Sequence, residues 1–242
     1  MTRFCQALTF LFEGIPLPYS PRMDDGITLV LLSCFLLSAY ILARSRLLLA
    51  EQMKNFLLHR DRNSVFAHFT TSDMHYLLLL ILQTCVLASI CLFNYFLDIS
   101  PSLQLHVAPY WLLILYTLIL LFYLFLKWLA YTVVGWIFLN KEKTSAWMES
   151  YSTLLYYLGF SLFPFVLFLV YFDLSLVATV VIGLCLVVLF KILVFYKWLK
   201  LFCENLAGCF LLILYFCALE IIPLLLTYKG MLQLNHYLII NF

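Results

Sequence analysis

Apolar runs of membrane-spanning length recur along this chain of 242 residues, and they restrict its fold more than any motif does. A hydrocarbon core of about 30 Å is crossed by roughly 20 helical residues. Six runs meet that length, each ended by charge or by loop chemistry: Ile27 to Ala43, His75 to Leu97, Ala108 to about Leu126, Tyr151 to Tyr171, Leu176 to about Phe195 and Leu206 to Tyr228. The expectation is an all-α, polytopic membrane helical bundle with about six transmembrane helices, occupying residues 27–228.

Composition agrees. Hydrophobic residues make up 66% of the chain and charged ones 11%, with a mean hydropathy of +1.05, far from the roughly half apolar and quarter charged usage of soluble domains. A formal charge of +2 is too small to suggest a nucleic-acid partner, so the expected partners are the lipid bilayer and other membrane proteins. The eight cysteines contain no C-x-x-C pair, and six lie in apolar runs, where a thiol packs as a small hydrophobe.

Ahead of the first run, "GIPLPYSPRMDDG" carries three prolines and two glycines and cannot continue a helix. Before it, "FCQALTFLF" is short for a signal-peptide core and lacks a small-residue cleavage site, so an interfacial segment is expected there. Residues 1–26 read as an external lead-in. Lys and Arg following the first, third and fifth runs number eleven, against three on the other side. Such an excess marks the cytoplasmic face, which places segments of about 44–74, 127–150 and 196–205 inside, and both termini, including a tail at 229–242, outside.

The first cytoplasmic segment, "RSRLLLAEQMKNFLLHRDRN", spaces Leu49, Met53, Phe56 and Leu57 along one helical face. Arg44, Arg46, Lys54, Arg60 and Arg62 supply a basic membrane surface. One reading is an amphipathic juxtamembrane helix lying on anionic headgroups or docking a partner; the other is that the first helix runs on and packs against its neighbours. The third run stays apolar for 32 residues, from Ala108 to Leu139, longer than a bilayer requires. Lys127 beside Trp128 reads there as an interface anchor, with the remainder along the cytoplasmic surface. "FLKWL" at 125–129 returns as "FYKWL" at 195–199, each ahead of a returning helix with an internal proline, Pro164 or Pro223, preceded three residues earlier by Ser161 or Glu220. A repeated helical hairpin is one account of this pattern; coincidence in a chain rich in Phe, Leu and Trp is the other.

Glu220 is the leading candidate for function, because an ionisable group inside a span is costly unless paired, hydrated or protonated. Counted back from Tyr228, it lies about 12 Å below the outer boundary. Pro223 lacks an N–H, so the carbonyl of Leu219 loses its helical partner beside the acid. Asn94 and Ser161 complete the candidate intramembrane set. A structural reading makes Glu220 a neutral, hydrogen-bonded lock that Glu220→Gln would preserve; a functional one makes it a site for ions, protons or substrate. His68, Asp73 and His75 cluster near one face while His106 and His236 fall on the other, which does not suit a haem or a metal, and no cofactor is expected. The chain has no Walker lysine motif, no H-E-x-x-H, no G-x-S-x-G and no paired acidic motif of a lipid-phosphate transferase, so no catalytic residues are proposed.

The closing "CALEIIPLLLTYK", with the E-x-x-P of Glu220 and Pro223, the number of spans and the aromatic-rich loops resemble a family of polytopic bacterial inner-membrane proteins of the Bacteroides-like lineage, described as a domain of unknown function, from about Ile27 onward. The resemblance implies an inner-membrane location, no established activity and no assigned catalytic residues. The reading favoured on these grounds is a non-enzymatic accessory or assembly subunit of an envelope complex. A proton- or cation-coupled carrier using Glu220 is the alternative, and a membrane-embedded enzyme acting on lipid the second alternative.

Overall fold

Local chemistry sets where the helices begin. A computed structural model describes residues 21–58, 71–100, 108–138, 141–172, 174–202 and 217–241. After a 3-10 turn at Pro21–Met23, helix α1 runs from Asp25 to Leu58. Asp24 precedes it and its Oδ1 accepts from the Gly26 N–H at 2.8 Å, the bond by which an N-cap side chain satisfies an otherwise unpaired donor. The same oxygen accepts from the Tyr110 hydroxyl at 2.6 Å, tying α1 to the start of α3. A Cβ at Gly26 would come within 2.7 Å of the Tyr110 ring, which would have to shift to admit it. Helix α2 is Thr71–Ile99 and helix α3 Pro109–Phe138. Pro109 opens α3 at the position where its missing N–H costs nothing. Helix α4 is Lys141–Tyr171, with Pro164 inside it, and α5 is Leu176–Phe202, whose first turn is capped by Ser175. A π-helical turn, Cys217–Ile221, leads into α6, Ile222–Asn241.

The described residues are all-helical, and five stretches are long and apolar enough to cross a membrane: Asp25–Arg44, His75–Ile99, Pro109–Trp136, Thr144–Tyr171 and Leu176–Lys200. Half of the second and fourth windows is buried, against 17% of the third and fifth, so α2 and α4 form the centre of the bundle and the others surround it. Leu87, Ile90, Phe93 and Phe96 of α2 meet Leu162, Phe165 and Val166 of α4 in the largest core cluster, which also takes in Leu112 and Tyr116 of α3. Outward-facing side chains are large and apolar, such as Leu29, Phe122, Leu184 and Leu226. In water such a surface is unfavourable; against lipid tails it is the matching one.

Polar contacts select which helices meet. Gln83 of α2 donates to Ser38 of α1, Thr117 of α3 to Ser89 of α2 at 2.8 Å, and Tyr116 of α3 to Asn235 of α6 at 2.7 Å. Tyr131 of α3 reaches Glu220 in the π-turn. Both pairs of positions are fifteen residues apart, so the C-terminal segment runs antiparallel along α3 for about 22 Å.

One open reading is decided and two expectations are revised. Of the two readings of the basic segment, the helix that runs on holds as far as Leu58, since α1 continues unbroken from Asp25 to that residue, and residues 59–70 lie outside the described residues. Leu49 is 4% exposed, in a cluster with Ile41, Leu80 and Tyr156, and its carbonyl accepts from Tyr157 at 3.3 Å. Likewise α3 does not turn onto the surface at Lys127 but remains one helix of 30 residues. Finally, α6 continues through Lys229 to Asn241, well past Tyr228.

Candidate functional site

The internal proline of the last helix has a visible consequence. Pro223 offers no N–H to the Leu219 carbonyl, and the preceding residues widen into the π-turn Cys217–Ile221, a local insertion common at functional sites. The turn carries Glu220 into the bundle, where it is 0% exposed. Its carboxylate pairs with two ammonium groups, Lys127 of α3 and Lys191 of α5, both on Oε2. The Tyr131 hydroxyl donates to Oε1. Lys191 also donates to the Glu220 carbonyl at 3.3 Å, supplying a partner to a carbonyl in the widened turn.

Around these charges lies an aromatic enclosure. Lys127 Nζ donates to the Tyr151 hydroxyl at 3.0 Å and sits 4.8 Å from that ring's centroid and 5.7 Å from that of Tyr123. Both are within the range of favourable cation–π contact. Tyr131 packs on Trp147 with centroids 5.4 Å apart, Trp147 on Trp198 at 5.4 Å and Tyr151 on Phe190 at 6.2 Å. Lys127, Tyr131, Trp147 and Trp198 are all at most 4% exposed. Lys191 differs: 19% of its side chain remains accessible, against 2% for Lys127. Lys127 lies about 27 Å along α3 from Pro109, and Lys191 about 22 Å along α5 from Leu176. Both are about 16 Å from the opposite helix ends, Phe138 and Phe202.

This geometry corrects the partners inferred for Glu220. Its level is that of Lys127 and Lys191, in the half of α3 nearer the α3–α4 connection, about 12 Å of helix from Tyr228, which meets Tyr95 at 3.2 Å. Lys127 is not an interface anchor. It turns inward because an acid waits there, while its neighbour Trp128 stays 54% exposed. Asn94, half-buried next to Tyr95, belongs to the Tyr228 level, eight residues and about 12 Å of helix from Glu220. Ser161 is exposed and donates to the Leu158 carbonyl of its own helix at 2.8 Å. The repeated "F-x-K-W-L" does not play equivalent roles, since Trp198 is 4% exposed where Trp128 is open and Ser161 has no counterpart of the ion cluster at Glu220. Arg44 and Arg46 are exposed on α1. The side chain of Lys54, with Arg60, Arg62, His68 and His106, lies outside the described residues.

Reasoning from sequence missed Lys127, Lys191, Tyr131 and Tyr151 as site residues. A usable signal existed: amines at 127 and 191 within apolar runs, and an acid at 220 in a third. Buried charges seek one another, because an unpaired one in hydrocarbon is costly.

A bundle of apolar helices around an interior ion cluster defines a multi-pass helical membrane protein. A family model described as a domain of unknown function (DUF4271) matches residues 27–231, and the chain belongs to that family. The matched region contains the whole cluster, Lys127, Lys191 and Glu220. No curated protein and no solved structure matches the chain.

Proposed function

We propose that this chain is a non-enzymatic accessory or assembly subunit of an envelope complex in a bacterial inner membrane, crossing it six times with both termini outside the cytoplasm. The observation that carries the reading is the complete enclosure of Glu220, held by groups from α3 and α5 and walled by aromatic rings. A transport site needs an opening to each side in turn, whereas a filled contact fixes how helices pack. A cation-coupled carrier is disfavoured further, because two ammonium groups against one carboxylate repel a third cation. A proton-coupled carrier remains the rival, supported by the π-turn at Glu220. An enzyme acting on lipid would need its reactive groups within reach of substrate, whereas Glu220, Lys127 and Tyr131 are buried and Lys191 alone of the four is partly accessible.

The sixth crossing is supported by the antiparallel course of Cys217–Asn241 along α3. With Lys127, Lys191 and Lys197 turned inward, eight Lys and Arg still stand against three for the cytoplasmic side. On this topology Arg44 and Arg46, both exposed, would meet anionic headgroups. Reporter fusions after Asn63, Lys143 and Asn205 are expected to read cytoplasmic, and those at Ser102 and the C terminus external. A cytoplasmic C terminus would refute this topology. For the subunit reading, the tagged protein at its native level is extracted in mild detergent; it is expected in a particle containing a stoichiometric second protein. A solitary 28.3 kDa chain that moves protons in liposomes would establish the carrier instead.

A further inference from the structure

Two tyrosines and an arginine converge where α1 and α2 leave the apolar region at one end of the bundle. The membrane-length stretch of α1 ends at Arg44, and that of α2 begins at His75. Tyr40 and Tyr76 meet across the two helices, edge to face with ring centroids 6.1 Å apart, and their hydroxyls are hydrogen-bonded. Tyr76 is fixed by packing on the cluster of Ile41, Leu80 and Tyr156. Arg44 follows Tyr40 by one turn, about 6 Å along the same face of α1, and its charge acts on the Tyr40 hydroxyl.

These groups suit one kind of ligand. Two phenols joined by a hydrogen bond use one O–H proton between them and have the second to donate, and the first bond strengthens the second. A guanidinium presents a planar fork that matches two oxygens of a phosphate. Side by side they form an anion site, and its depth selects the anion. The ends of two adjacent apolar spans are where hydrocarbon gives way to headgroups, so the oxygens that reach this level belong to lipid phosphates. The ammonium of a zwitterionic lipid would set a second cation against Arg44, which an anionic lipid does not.

We propose that Tyr40, Arg44 and Tyr76 bind the phosphate of an anionic phospholipid at the seam between α1 and α2. The inference rests on α1 and α2 crossing a membrane, and is independent of the direction in which they cross and of the subunit reading. Arg46 supplies an internal control. It is exposed on the same helix two residues further on, but about 200° round the axis from Arg44. A lipid held only by general attraction to positive charge senses both arginines alike, whereas a headgroup bound at the seam senses Arg44.

The test offers the full chain, purified in an uncharged detergent, phosphatidylglycerol or phosphatidylcholine with the same acyl chains, and counts the lipid retained on each chain by native mass spectrometry. The expected result is one phosphatidylglycerol held at least about tenfold more tightly than phosphatidylcholine, the size of one hydrogen bond to a charged group. Arg44→Gln is expected to bring it down to the level of phosphatidylcholine, and Arg46→Gln to leave it unchanged. Tyr40→Phe and Tyr76→Phe in one chain remove two oxygens and no charge, and are expected to weaken retention about tenfold independently of Arg44. Each variant is expected to melt as the parent does. Equal retention of the two lipids, an Arg46→Gln loss equal to that of Arg44→Gln, or a double Phe chain that holds phosphatidylglycerol as the parent does would each overturn the proposal. So would displacement of the lipid by an equal concentration of glycerophosphate, which would make the ligand a soluble phosphate ester. None of these outcomes bears on the subunit reading, which the particle isolated in mild detergent decides.

Discussion

Glu220→Gln is expected to deplete the protein from the membrane and to lower its melting temperature sharply in detergent. The amide keeps the size of the side chain and can still accept from Tyr131, but it removes the negative charge that Lys127 and Lys191 share. Two ammonium groups are then left facing each other in an enclosure of rings. Breaking a buried pair by removing one partner costs about 3–5 kcal/mol, a large part of a total stability on the order of 5–15 kcal/mol. Tolerance of this variant is what a neutral, hydrogen-bonded acid would predict, and the two lysines reverse that expectation. The chain with Glu220→Gln, Lys127→Met and Lys191→Met together is expected to recover its membrane level, because no charge remains unpaired. A stable single Gln variant would refute the ion cluster as a structural lock. In a deletion strain, recovery of level without recovery of function would show that the cluster does more than hold the fold.

Gly159→Ala is the second large effect, expected at about 1–3 kcal/mol of destabilisation from overpacking. Gly159 of α4 faces Thr84 of α2, and a Cβ there would stand 2.3 Å from the Thr84 hydroxyl oxygen. That oxygen cannot easily move, since it donates to the Leu80 carbonyl at 2.8 Å and lies 3.4 Å from the Leu155 carbonyl. The two central helices must part to admit one methyl group. Thr84→Ala in the same chain is expected to restore most of the loss. Gly183→Ala serves as the control: its Cβ would meet Phe165 at 4.0 Å, an ordinary contact, and alanine is the better helix former by about 1 kcal/mol. Melting temperatures of the purified variants decide the matter, and a Gly159→Ala chain as stable as Gly183→Ala would refute the close approach.

The class of the protein was legible in the sequence because the length of an apolar run reports directly on the thickness of its solvent. Local stops were legible too: the proline-rich lead-in before α1 and Pro223 in the last helix each act on neighbouring backbone groups alone. Glu220 stood out for the same reason, as an acid where water is scarce. Its partners did not, because Lys127 and Lys191 come from other helices, and Tyr131 lies 89 residues away along the chain. In water a helix betrays its buried stripe by the polarity of its opposite face. In lipid both faces are apolar, so nothing in the sequence tells how α3 or α5 is rotated, and a lysine near the end of a run looks equally suited to snorkel outward or to turn inward. Only the packed bundle decides, by setting a carboxylate within reach of both amines, where pairing outweighs the pull of the headgroups.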